Sequence, residues 1–240
     1  MESKQQIISK LQQDILQWEG YRRPPVGTHG LVGLGPVEKA FPNGVFPVGE
    51  VHEVVCGTAG QVAAAGGFIS GLISVLMQEG GACLWVGLSQ TLFAPALKIF
   101  GIEPDRVIFL NLLRDKDVLW VMEEALKCTG LTAVIGEVKA LDFKQSRRLQ
   151  LAVEQSHVTG FVLRNASKKL GSTACAARWH ISPLPSGAVD GLPGLGLPRW
   201  QVELLKVRNG QPGKWVLEWD EGRFAAITES AGVERVKNYG

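Results

Sequence analysis

The sequence lacks the features that mark several classes of protein. Its first 20 residues contain no uninterrupted apolar run long enough for a signal peptide or a membrane span. Its four cysteines stand far apart without a CxxC pair, and its four histidines are scattered, which argues against a metal site. A net charge of +2 gives no general attraction to nucleic acid. We therefore expect a cytoplasmic protein with reduced thiols, no metal, no cofactor and no membrane partner.

The 240 residues do contain enough apolar material for a globular core, since 45% of them are hydrophobic and 20% are charged. Apolar residues at helical spacing predict an amphipathic N-terminal helix over residues 1–20. Residues 21–47 are rich in glycine and proline and are expected to form a linker and loops. We predict a single domain over residues 48–228, followed by a C-terminal tail at 229–240.

Within this domain, short apolar segments alternate with helical ones. Five near-continuous apolar segments predict strands at 51–56, 82–87, 106–111, 132–138 and 160–165. Helices are predicted between them at about 60–79, 92–100, 115–128 and 143–156. The remaining strand candidates, which have no helices between them, are 177–185, 199–207, 213–219 and 222–227. The predicted fold is therefore α/β, a doubly wound and mainly parallel sheet that ends in antiparallel C-terminal strands.

Residues 54–68, VVCGTAGQVAAAGGF, have the layout of a phosphate-binding loop, because a strand passes through glycines into a helix of small residues. Such loops normally end in Gly-Lys-Ser or Gly-Lys-Thr, where the lysine neutralises the outer phosphates and the hydroxyl holds magnesium. Here alanine and valine take those positions, and no lysine or arginine occurs between Lys39 and Lys98. A degenerate phosphate loop is predicted at Gly57, Thr58, Ala59 and Gly60. We expect its small residues to allow close packing of the helix on the sheet.

Several motifs occur in a specific order. HEVV at 52–55 precedes the alanine-rich helix, and LFAPAL at 92–97 precedes GIEPDRVI at 101–108. LTAVIGEVKALDFKQSRRLQLAVEQSHVTGFVLR follows at 131–164, and then ARWHISPLPS and GLPRWQVELLKVRNGQPGKWVLEW. In order and spacing, these motifs resemble the ImuA family of translesion-synthesis accessory proteins, whose core is RecA-like. The resemblance covers roughly residues 30–227.

The resemblance implies a non-catalytic, RecA-like accessory protein of an inducible (SOS) mutagenesis complex for translesion DNA synthesis. The partners that it implies are an inactive Y-family polymerase homologue of the ImuB type, an alternate replicative-type DNA polymerase and the RecA filament. It also implies a pseudo-ATPase. The position of the recombinases' catalytic glutamate is matched by Gln90, and an amide cannot take a proton from water. The magnesium-binding acid is matched by Gly136, although a shift of one residue would place Glu137 there.

Basic residues are concentrated between residues 139 and 169. The candidate surface for DNA or an acidic partner comprises Lys139, Arg147, Arg148, Arg164, Lys168 and Lys169. Residues 139–142 and 164–170 follow predicted strands, and the carboxyl ends of parallel strands form the rim where ligands usually bind. The alternative interpretation is solvated loop charge with ion pairs along a helix, such as Arg147 with Glu154.

Two other functions remain open at this stage. One is a cell-division inhibitor similar to SulA, which would act on a filament through another degenerate RecA fold. The other is a nucleotide-dependent DNA-binding ATPase with an unusual loop. Most of the seven tryptophans are expected to pack in the core, and His52 and Glu53 should lie on opposite faces of their strand.

Overall fold

A computed structural model describes residues 32–88, 92–165, 170–187 and 196–227 of the chain. The chain divides into two units, Met1–Gly30 and Leu31–Gly240, and all of the described residues belong to the second. The predicted N-terminal helix at 1–20 and the predicted tail at 229–240 lie outside the described residues, so both stay predictions.

A nine-stranded sheet is built from the described residues. Its strands are β1 (Val51–Cys56), β2 (Ala82–Gly87), β3 (Val107–Asn111), β4 (Leu131–Val138), β5 (Thr159–Asn165), β6 (Ala177–Gly187), β7 (Leu197–Val207), β8 (Gly213–Asp220) and β9 (Arg223–Ala226). Their order across the sheet is β3-β2-β4-β5-β1-β6-β7-β8-β9. All pairings among the first six strands, β1 to β6, are parallel. The pairings of β6 with β7, β7 with β8 and β8 with β9 are antiparallel. The predicted mainly parallel sheet with antiparallel C-terminal strands is confirmed.

Three α-helices connect the parallel strands: α1 (Ala59–Leu76), α2 (Asp115–Ala125) and α3 (Phe143–Ser156). The predicted helix at 92–100 is instead a 3₁₀ helix, Ala94–Phe100, with proline in its first turn. By length and composition alone α1 would also pass for a membrane span, as core helices often do. Its mean hydropathy is 1.6, and half of it is buried inside the domain.

The two faces of the sheet have separate cores. The cluster that packs with α1 includes Phe68 and Trp179, and the cluster under α2 and α3 includes Met122 and Leu149. Small residues let α1 lie close to the sheet, as expected. A Cβ atom on Gly71 would lie 2.6 Å from the ring of Phe224, so no larger residue fits without a shift.

The structure corrects the predicted linker at 21–47. Residues Gly35–Ala40 and Pro42–Gly44 form two short 3₁₀ helices, and the apolar side chains around them enter the core. Those that are at most 3% exposed are Val32, Leu34, Val37, Phe41 and Phe46. The glycines and prolines of this segment make turns between core contacts, because the apolar residues that they separate are buried in the α1 side of the sheet. The described part of this segment therefore belongs to the domain.

Candidate functional site

The junction between β1 and α1 is much shorter than a phosphate-binding loop. β1 ends at Cys56 and α1 begins at Ala59, so Gly57 and Thr58 alone connect them. Thr58 is the N-cap residue, and its Oγ1 accepts a hydrogen bond from the backbone N–H of Gln61 at 3.2 Å. In the usual motif four residues lie between the two glycines and their N–H groups surround the phosphates. Here the first turn of α1 takes up those residues.

The side chain of Gln61 lies at the junction, where the backbone N–H groups of a phosphate-binding loop would face an anion. Its Oε1 accepts a hydrogen bond from the backbone N–H of Gly57 at 2.7 Å. Its Nε2 lies 2.9 Å from Nε2 of His180 and donates to Oγ of Ser182 at 3.3 Å. An N–H group that a phosphate oxygen would need is therefore already satisfied within the protein.

A cavity adjoins the junction at the carboxyl ends of the parallel strands. Its volume is about 130 Å³, and its lining residues are Cys56, Val62, Leu88, Glu137, Val138, Lys139, Leu163 and Asn165. A second depression of about 320 Å³ shares part of this lining and extends to Trp85 and Leu92. Among the described lining residues Lys139 is the only cation. A nucleotide carries three or four negative charges, so this cavity offers little to balance them.

Glu137 is the acidic residue of this cavity. Its Oε1 accepts a hydrogen bond from Nε1 of Trp85 at 2.6 Å. The neighbouring Gly136 faces the other way, because a Cβ atom there would lie 2.6 Å from Sδ of Met122. The carboxylate of residue 137, and not a side chain at 136, thus faces the cavity. Within the described ranges, no group of three or more His, Cys, Asp and Glu residues is arranged to hold a metal ion.

All four cysteines are free thiols. Burial, with the charge of Glu137 as a smaller contribution, raises the pKa of Cys56 to about 12. Burial likewise raises the pKa of Cys175 to about 12 and that of Cys83 still further. A thiol must ionise to act as a nucleophile or a metal ligand, so these three cysteines behave as small apolar residues.

The structure corrects the placement of Arg164. This side chain is 7% exposed, and its Nη1 donates to Oε1 of the fully buried Glu53 at 3.1 Å. Oε2 of Glu53 accepts from Oγ1 of Thr173 at 2.8 Å and from Nε of Arg178 at 2.7 Å. Within the described residues Nε of Arg164 has no hydrogen-bond partner. Arg164 therefore takes part in a buried network, which we call the Glu53 network, and does not offer its charge at the rim.

The three other candidate basic residues that the structure describes lie at two separate places. Lys139 is exposed beside the cavity, while Arg147 and Arg148 lie on the outer side of α3. Arg147 faces Glu154 at 3.8 Å, and Arg148 donates to Glu123 of α2 at 2.7 Å. Binding of DNA or of an acidic partner by these three residues stays a prediction. Three further candidates, Lys168, Lys169 and Gln90, lie outside the described residues.

His52 and Glu53 lie on opposite faces of β1, as the alternation predicted. His52 stacks on Phe46 with ring centroids 4.6 Å apart and accepts a hydrogen bond from Nε1 of Trp179 at 3.3 Å. Glu53 faces the arginines described above. Trp179, like most of the tryptophans, is a core residue, which confirms that expectation.

Sequence reasoning missed Gln61 and His180. Thr58 and Gln61 have the spacing of a capping box, and this spacing was a sequence signal for Gln61. The side chain of Gln61 bonds to Gly57 and not to the N-cap residue itself. No local pattern indicates His180, because it lies 119 residues further along the chain.

No protein-family model matches the chain, but several known proteins are similar to it in sequence. Two proteins named Protein ImuA, from Caulobacter vibrioides strains NA1000 / CB15N and ATCC 19089 / CB 15, are each 36% identical over 201 residues. The match covers 79% of this chain and 82% of each relative. The cell division inhibitor SulA of Photorhabdus laumondii subsp. laumondii is 30% identical over 96 residues, which are 39% of this chain and 54% of that protein.

A solved structure, that of the RadB recombinase, is similar in fold. It aligns with a TM-score of 0.55 at 14% sequence identity, over 83% of this chain and 100% of that chain. At this identity the likeness shows the fold alone. The predicted RecA-like fold is thereby confirmed.

Proposed function

This chain belongs to the ImuA family, and we propose that it is a non-catalytic accessory protein of an inducible (SOS) mutagenesis complex for translesion DNA synthesis. The observation that carries the non-catalytic part of this proposal is the closed β1–α1 junction. Gln61 already binds the N–H of Gly57, and the helix begins where a phosphate loop would lie. On this proposal the protein acts through the surfaces by which it meets other proteins.

Exposed apolar side chains occur on β3, on α2 and on the segment between them. β3 is an edge strand, and Ile108 and Leu110 are 54% and 36% exposed. They pair with Leu84 and Val86 of β2, which are buried under α2 and α3. Ile108 and Leu110 therefore lie on the same face of the sheet as this core but are themselves exposed. Two more apolar residues follow, Leu113 at 95% exposure and Trp120 at 62%. We call these four exposed residues the β3–α2 surface.

Exposed apolar residues of this size, with a tryptophan among them, are typical of protein–protein interfaces. We propose that the β3–α2 surface binds the inactive Y-family polymerase homologue. The alternate replicative-type polymerase, the RecA filament and DNA would be met elsewhere on the chain. All of these contacts would take place in the cytoplasm.

Co-purification with the polymerase homologue tests this proposal. Leu113→Asp and Trp120→Ala should each weaken the complex, and loss of a tryptophan anchor costs about 2 kcal/mol or more, which is roughly a 30-fold rise in Kd. Both side chains are largely exposed, so thermal stability should change little. Leu205→Asp is the matched control, because Leu205 is 44% exposed on β7, outside the β3–α2 surface. Equal binding by all three variants would contradict the assignment of this surface.

A second candidate function is inhibition of cell division, which the 96-residue match to SulA favours. That match covers 39% of this chain, about half of the share that the ImuA relatives cover. Addition of the purified protein to an assembling division filament separates the two functions. Slower assembly would support the inhibitor, and unchanged assembly would support the accessory role.

A further inference from the structure

A chain of polar contacts links the β1–α1 junction to the antiparallel strands. The N–H of Gly57 donates to Oε1 of Gln61 at 2.7 Å, and Nε2 of Gln61 lies 2.9 Å from Nε2 of His180. The other ring nitrogen of His180, Nδ1, lies 3.4 Å from Oε2 of Glu203. Lys214 donates to Oε1 of Glu203 at 2.8 Å. The three strands β6, β7 and β8 place these last residues side by side, since His180 pairs with Glu203 and Glu203 with Lys214.

The donors and acceptors in this chain have a single consistent arrangement. The backbone N–H of Gly57 can only donate, so the oxygen of the Gln61 amide faces it. The amide nitrogen then faces His180 and Ser182, and it too can only donate. Nε2 of His180 must therefore accept, which makes the imidazole neutral with its proton on Nδ1. That proton is directed towards the carboxylate of Glu203.

We propose that protonation of His180 opens the β1–α1 junction. An imidazolium ion carries a proton on both ring nitrogens, so Nε2–H and the amide N–H groups of Gln61 would be opposed across 2.9 Å. Rotation of the amide by half a turn places Oε1 on His180 and removes this conflict. The same rotation turns the amide nitrogen towards the N–H of Gly57, into the position 2.7 Å away that Oε1 held, and these two donors must separate. Because Gly57 is exposed, water replaces Oε1 as its acceptor at little cost.

The charges around His180 support this sequence of events. On β7, the hydrogen bond from Lys214 holds the pKa of Glu203 below its usual value, so Glu203 stays ionised beside the ring of His180. On β6 and β1, Arg178 and Glu53 are bonded to each other at 2.7 Å. Histidine is the side-chain type whose charge changes between about pH 5 and pH 8.

On the junction side, the titratable thiol of Cys56 contacts the backbone oxygen of Gln61 at 3.7 Å. Burial raises its pKa to about 12, so it stays a neutral thiol. The thiol of Cys56 therefore adds no charge next to Gln61 in the neutral range.

Nuclear magnetic resonance of the full ¹⁵N-labelled chain tests this proposal. At about pH 8 the ring of His180 should show the Nδ1–H tautomer. As the pH is lowered to about 5, the amide signal of Gly57 should shift with the same midpoint as the ring of His180. Gln61→Met cannot bridge the two groups, so in that variant His180 should still titrate while Gly57 stops following it.

His157→Asn is the control, because His157 is an exposed residue at the end of α3 and makes no contact with the junction. It should leave the titration of Gly57 unchanged. An Nε2–H tautomer at high pH, or a Gly57 amide in the wild-type chain that does not follow His180, would overturn the proposal.

Discussion

Replacement of Glu53 by alanine removes the acceptor of three hydrogen bonds inside the sheet. The carboxylate is fully buried and binds Arg164 at 3.1 Å, Thr173 at 2.8 Å and Arg178 at 2.7 Å. The side chain of Arg164 is 7% exposed and that of Arg178 is 12% exposed. Without Glu53, both charges stay in the interior and lose their counter-ion.

The expected loss of stability is large. Breaking a buried ion pair by removing one partner costs about 3–5 kcal/mol. For a domain of 150 to 250 residues each kcal/mol lowers Tm by about 2–4 °C, so Glu53→Ala should lower it by about 6–20 °C. Urea unfolding followed by circular dichroism, with linear extrapolation to water, measures the free energy directly.

Glu154→Ala is the matched control. Glu154 and Arg147 form an ion pair at 3.8 Å in which both side chains are 51% exposed, so its loss should cost less than about 1 kcal/mol. Addition of Arg164→Met to Glu53→Ala should restore part of the stability, because it removes one of the unpaired charges. If Glu53→Ala cost no more than Glu154→Ala, the Glu53 network would be solvated, and Arg164 would return to the candidate binding surface.

Three further predictions concern nucleotide, the basic rim and pH. Calorimetric titration with ATP and magnesium should show no binding tighter than about millimolar, because the junction lacks a lysine; a micromolar Kd would refute the pseudo-ATPase proposal. Charge reversal of Lys139, Lys168 and Lys169 should weaken binding to duplex DNA. It should also reduce the dependence of log K on log salt concentration by about 0.9 for each phosphate that the protein no longer neutralises. Unchanged binding would show that these residues are solvated loop charges. Burial lowers the pKa of His52 to about 4, below about 6.5 in the unfolded chain, so the unfolded state binds the extra proton. Unfolding free energy should therefore be highest above about pH 6.5 and fall by about 3 kcal/mol towards pH 4, and His52→Phe should lack this part of the slope.

Local patterns were sufficient for most elements of the fold. The strands β1 and β2 coincide with their predicted bounds, and so does α3 (Phe143–Ser156). For α3 the reason is a capping box, in which Asp142 and Gln145 bond to each other's backbone N–H groups. Signals of this kind act over three or four residues, so they can be recognised without knowledge of the fold.

The candidate site was predictable only in part. The missing lysine of the junction is visible in the sequence, but the filling of its N–H site by Gln61 depends on contacts with His180 and Ser182 of a distant strand. The segment at 32–46 was expected to be a linker because of its glycines and prolines. Its burial depends on a hydrophobic surface that forms only when α1 and the strands have assembled.

Arg164 shows most clearly what the sequence determined and what the tertiary structure decided. The apolar residues before Arg164 were enough to predict that it lies at the carboxyl end of a buried parallel strand, at the rim of the sheet. Whether its charge would face solvent depended on the neighbouring strand, and parallel pairing of β5 with β1 brought it to Glu53, 111 residues earlier in the chain. A buried charge needs a partner, and pairing between strands far apart in sequence is set by the packing of the whole sheet. The same residue type in the same pattern would be a surface cation if β1 carried an apolar side chain at that position.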